Sequence, residues 1–250
     1  MTASSSRARG GGAAQRPQDL FTTHPATSHD RLIVRYPDNV TSVVYCFAEA
    51  AERLADSHRG QAPDDTILLP FLYLYRHAFE LNLKRCIETA AATRVLGGDA
   101  DPALEATEVR RRLQHDHGHR IMALFEELDS HLVALGLEAM PAKSRKLHTL
   151  LSNTDPRGES FRYPSSLPGD LGASQDYIDF IALRKTLKDG FGLAQGALSM
   201  LEAAYETTSE TYAEMTYDAR EEERAIEAAC EADMRREHEP DMRAEFENYY

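Results

Sequence analysis

An all-α fold, a single helical bundle, follows from three features of the sequence. Apolar residues recur in steps of three and four along most of the chain, and Gly and Pro stand at the ends of those stretches. No Val-, Ile- and Thr-rich alternating segment and no strand-turn-helix glycine motif appears, which argues against a parallel-sheet nucleotide-binding fold. A chain of 250 residues is long enough to bury a substantial core.

The first 20 or so residues are rich in Ser, Ala, Gly and Arg without apolar periodicity, and residues 1–37 are expected to be disordered or loosely ordered. They also lack the apolar stretch of a secretory signal. No apolar run approaches the roughly 20 residues that span a bilayer, so a cytoplasmic location away from membranes is expected. The bundle is expected over residues 38–208. Its first helix begins near Asp38 or Thr41, carries Val44, Phe47, Ala51 and Leu54 on one face, and stops at Gly60. A second opens at residues 64–66, tolerates Pro70 near its first turn and runs to Gly97-Gly98. Its apolar residues cover most of its circumference, which marks the spine of the domain.

A third segment starts at Asp101-Pro102, an N-cap followed by proline, and includes Arg110, Arg111 and Arg112. From His119 a helical face leads through Leu124, Phe125, Leu128 and Leu132 to Gly136, and a short helix follows Pro141 to about Asn153. Residues 155–173 form a long loop. The last core helix takes Ser174 as its N-cap, and Gly190, Gly192 and Gly196 permit a close neighbour. Residues 209–250 form a charged tail, either a solvated helix or disorder.

The net charge of −13 argues against phosphate binding at first sight. From Asp218 onward, however, twelve Asp and Glu stand against five Arg, so much of the excess lies in the tail. A local basic site on the body remains compatible with this, and the acidic tail suits a basic partner protein. Cys46, Cys86 and Cys230 are far apart and are expected to be buried free thiols.

Three constellations carry chemistry. His77, Glu80, Lys84 and Glu88 share one line of the second helix. The simpler reading is a solvent-facing stripe with a Glu80–Lys84 ion pair; the other is a polar line facing a cleft. His115, His117 and His119 alternate in a turn but lack the accompanying ligands of a zinc site, so neither metal nor cofactor is expected. In the long loop, Arg157 and Arg162 can hold phosphate and Tyr163 can stack on a base. The structural reading of that loop is favoured: Arg162 pairs with a carboxylate, while Phe161 and Tyr163 pin the backbone.

The order LYRHAFELNLK, GHRIMALFEEL, DPRGESFRYP and a final long helix resembles the HEPN superfamily, helical domains of prokaryotic toxins, antiviral defence proteins and nucleotidyltransferase partners. The resemblance covers roughly residues 65–205. It implies that Glu80, Lys84, His119, Arg162 and Tyr163 gather around one polar patch between helices; His77, on the same line of the second helix, is a further candidate for RNA or ligand binding. For active members it implies a homodimer that cuts RNA without metal, using Arg-x(4 to 6)-His pairs. Arginine would hold the scissile phosphate, and histidine would move a proton at the 2′-hydroxyl or the leaving oxygen. Arg112 and His119 have this spacing, as do Arg53 with His58 and Arg110 with His115. The family motif usually lies in the last core helix, whereas residues 174–205 contain Arg184 and no histidine. The alternative is a non-catalytic scaffold that binds a partner protein or a nucleotide.

Overall fold

In the computed structural model, residues 40–163 and 177–247 are described, with side chains for 43–163 and 177–234. Six α-helices account for the fold: α1 (Val40–Ala55), α2 (Leu68–Leu96), α3 (Ala106–Arg111), α4 (Ile121–Ala134), α5 (Ala142–Thr154) and α6 (Phe180–Glu247). No strand occurs among the described residues.

The helix ends follow local chemistry. A 3-10 turn (Ala62–Ile67) leads into α2, where Pro70 falls in the first turn and needs no backbone donor, and Gly97 caps the far end. The Asp101 carboxylate accepts the backbone N–H of Ala103, as an N-cap before proline should. Beyond α3 the chain widens into a π turn (Arg112–Asp116), which precedes α4.

The spine role of α2 is realised: α1, α4 and α6 all pack on it. Phe71, Tyr75, Phe79, Leu83, Cys86 and Ile87 point to different neighbours and are fully enclosed. Each large apolar side chain so buried contributes roughly 1.5–3 kcal/mol. Phe71 meets Phe180, Phe79 meets Phe191, and Asn82 Nδ2 donates to the Ala194 carbonyl at 2.9 Å, so α2 and α6 run in the same direction. On the other flank, α5 lays His148 against Phe79 and Phe125.

Several expectations change. Among the described residues, α6 begins at Phe180, with Asp179 Oδ1 accepting the Ala182 N–H at 2.9 Å; residues 177–179 are not helical, and Ser174 lies outside the described residues. Helix α6 then continues without a break across the expected boundary at 208/209, so the tail is helix through Glu247. Its last fully enclosed residue is Leu201. Of the three glycines, only Gly190 serves close packing: a Cβ there would lie 2.1 Å from Leu147 Cδ2, whereas Gly192 and Gly196 face open space. Only Cys86 is a buried thiol, and burial pushes it up to about 12; Cys46 and Cys230 are exposed.

Candidate functional site

Glu80 is the centre of the site. It sits mid-α2, where the surrounding apolar residues close the helix in on most sides, and only 2% of it is exposed. A carboxylate so enclosed must be compensated by several donors. Arg76, one turn earlier, donates Nη1–H to Glu80 Oε2 at 2.6 Å. Lys84, one turn later, donates to Oε1 at 2.8 Å. His119, on the short link into α4, brings Nδ1 to 2.9 and 3.1 Å from the two oxygens. Burial works to raise the Glu80 carboxyl, but the Lys84 hydrogen bond and the charges of Lys84, Arg76 and His119 outweigh it and hold the group below its ordinary value.

Arg76 itself is 2% exposed and joins three segments. Besides Glu80, it donates to the His119 carbonyl and lies 3.0 Å from Asp155 Oδ2. Asp155 is wholly buried, and its other oxygen accepts the backbone N–H groups of Glu159 and Ser160 at 2.8 and 2.9 Å. That clasp folds the start of the loop back over Arg76. Gly158, at φ 75°, sits directly on it: a Cβ would come within 3.0 Å of His119 Cβ and 3.2 Å of Arg76 Cζ. The loop then carries Arg162, whose Nε donates to the Gly158 carbonyl at 3.2 Å and whose guanidinium lies 5.9 Å from the Tyr73 ring and 5.6 Å from that of Tyr163.

The arrangement is thus a buried ionic base beneath an accessible rim. The His119 side chain is 56% exposed and Lys84 23%. Tyr163 is exposed, and His77 lies beside the group, stacked on Tyr73 (5.9 Å between centroids, 6° between planes) with Phe47 edge-on. Burial lowers the His77 imidazole, against the pull of Glu80, which favours its neutral form.

Of the expected residues, Glu80, Lys84 and His119 are in direct contact. Arg162 and Tyr163 join through the loop, and His77 borders the group through Tyr73. The stripe is not simply solvent-facing, because Glu80 is enclosed. Glu88 lies apart from this group, 3.9 Å from Arg85. Among the described residues Arg162 pairs with a carbonyl and two rings, and of the two aromatics Phe161 pins the loop by burial while Tyr163 is exposed.

Arg112 does not join the group. Its guanidinium is engaged by the Ala103 carbonyl at 2.6 Å and by Glu127 at 2.8 Å. Glu127 also takes His117 and has His131 Nε2 at 3.5 Å, so the clustered histidines diverge to different carboxylates, while His115 is exposed. Arg76 and Asp155 were not anticipated as site residues. The signal for Arg76 lay in the sequence: Glu80 stands four residues from a cation on each side, in a helix whose apolar residues cover most of its circumference.

Comparison with known proteins finds no matching family model, curated protein or solved structure. Among the described residues, no helix is long and apolar enough to cross a membrane.

Proposed function

We propose that the chain is a HEPN-like protein of a prokaryotic defence or toxin-type system, acting on RNA as a metal-independent endoribonuclease in a homodimer. The observation that carries this reading is the His119–Glu80 pair. A buried carboxylate faces Nδ1 of an exposed imidazole and can accept its proton, which fixes the ring; in the neutral ring Nε2 is then the acceptor. Lys84, bonded to Glu80, and Arg162, on the loop that covers Arg76, would supply positive charge for a phosphodiester, and Tyr163 would offer a face on which a base can stack.

In this mechanism His119 Nε2 takes the proton of a ribose 2′-hydroxyl as that oxygen bonds to phosphorus. The bond to the 5′-oxygen breaks, and the leaving oxygen acquires a proton from solvent. Positive charge on the rim stabilises the charge that develops on the phosphoryl oxygens. No metal is needed for these steps.

The test is incubation of purified chain with single-stranded RNA and tRNA in excess chelator. Cleavage is expected, with His119→Ala reducing it about 10²- to 10⁴-fold and Lys84→Ala weakening it less. Intact RNA, or cleavage indifferent to His119→Ala, overturns the enzymatic reading. The engagement of Arg112 by Glu127 favours one second reading, in which the same patch binds RNA or a nucleotide without cutting it. Fluorescence anisotropy that detects binding without turnover would select that reading.

A further inference from the structure

Helix α6 outruns the bundle. Leu198 and Leu201 are buried in the core, but from Ala203 to Met234 the helix is exposed over most of its surface, for roughly 50 Å at 1.5 Å per residue. The spacing of its apolar residues does not lapse where the bundle ends. Counting Leu198 as position a and Leu201 as d of a heptad, the next a positions are Tyr205, Tyr212, Ala219 and Ile226, all apolar or aromatic, and the next d positions are Thr208, Met215, Glu222 and Ala229. The packing seam of the core therefore continues onto bare helix. Tyr205, Tyr212, Met215 and Ile226 are 40%, 53%, 66% and 59% exposed. Helices of this length draw most of their stability from a packed apolar face, which this segment lacks among the described residues.

The flanks of the seam identify what fits it. Between Tyr205 and Ala229 the charged residues at the neighbouring e and g positions are Asp218 and Glu223, both acidic. Arg220 and Arg224 occupy the outer b and f positions. A second copy laid parallel on the seam would bring Asp218 opposite the partner's Glu223, like charge against like. An antiparallel copy would again meet only acidic flanks. Glu222, at a d position, adds a further acid within the seam itself.

We infer that residues 205–229 of α6 form a docking arm for an amphipathic helix of another protein, one whose apolar stripe is bordered by lysine and arginine. Apolar burial along a and d supplies the attraction, and the acidic flanks select the partner. This inference is independent of whether the Glu80 patch cuts RNA.

The test uses the full chain and three synthetic 28-residue peptides with leucine at a and d. One carries lysine at e and g, one carries glutamate there, and one is a scramble of the lysine peptide with the same composition. Anisotropy is expected to show binding of the lysine peptide, with the other two weaker by about tenfold or more. Met215→Asp combined with Ile226→Asp should abolish that binding while leaving the unfolding midpoint of the bundle unchanged. Equal binding of the lysine peptide and its scramble, or binding that survives the double substitution, overturns the inference. Sedimentation of the full chain without peptide closes the remaining route: a dimer that Met215→Asp converts to monomer would mean that a second copy occupies the seam.

Discussion

Two carboxylates organise the polar interior, and they are built alike but used differently. Glu80 on α2 and Glu127 on α4 each hold an arginine and a histidine. Around Glu127 every partner turns inward: Arg112, His117 and His131 are mostly buried, and Arg94 extends the network by linking His131 to Asp99. Burial works to raise the Glu127 carboxyl, but hydrogen bonds from His131, Arg112 and His117 dominate and hold it at about 2. The product is a stitch between the π turn and α4. Around Glu80 the arginine is buried and the histidine is not. The same ingredients therefore give a brace in one place and an oriented, accessible imidazole in the other; what differs is the histidine side chain, mostly buried at His117 and His131 but 56% exposed at His119.

The comparison can be broken most severely at Arg76. Arg76→Met would strip the enclosed Asp155 of its cation and the enclosed Glu80 of one of its three side-chain partners, and a loss of about 3–5 kcal/mol in urea unfolding is expected. Breaking the brace should cost less: Glu127→Gln removes the charge that Arg112 and His117 share, for about 1–3 kcal/mol, and leaves any activity of the Glu80 patch in place. Gly158→Ala tests the lid over Arg76. Its positive φ and the 3.0 Å approach to His119 Cβ predict a loss of about 1–3 kcal/mol together with a displaced His119, visible as an altered imidazole chemical shift. His119→Ala should change stability by less than about 0.5 kcal/mol, since its side chain is largely outside the core.

Acid separates the network from bulk charge effects. The Glu127 carboxyl is held below its ordinary 4.5, so the unfolded chain binds the proton more readily. Its contribution is present above about 4.5 and is lost as pH falls toward about 2. His148 acts earlier. Its ring is wholly enclosed against Phe79 and Phe125, and burial lowers it from 6.5, so it opposes folding progressively once pH drops below 6.5. Replacing His148 with Phe should flatten the pH dependence of the unfolding midpoint between 6.5 and 5, and Glu127→Gln should flatten it below 4.5.

Most of the helical architecture was legible because periodicity, caps and glycine punctuation are local signals. The N-cap at Asp101, the end of α2 at Gly97 and the end of α4 before Gly136 all lie where sequence rules put them. The site was legible only in part. Glu80 and Lys84 at i and i+4 look the same on a solvated surface as in an enclosed one, and only tertiary packing tells them apart. Asp155 reads as a loop residue because nothing local indicates that a guanidinium 79 positions earlier lies against it. Arg112 and His119 have a suggestive spacing, but the π turn between them sends their side chains to different carboxylates.

The reach of Arg76 also sets an order of events during synthesis. Its own helix emerges from the ribosome early, yet its partners at His119 and Asp155 come 43 and 79 residues later. A growing chain can form the α2 turn that carries Glu80 long before it can cover it. The imidazole becomes aligned only once the segment through Ser160 is free to clasp Asp155. Whatever chemistry the rim performs, it is withheld from nascent chains and appears only when the bundle has closed.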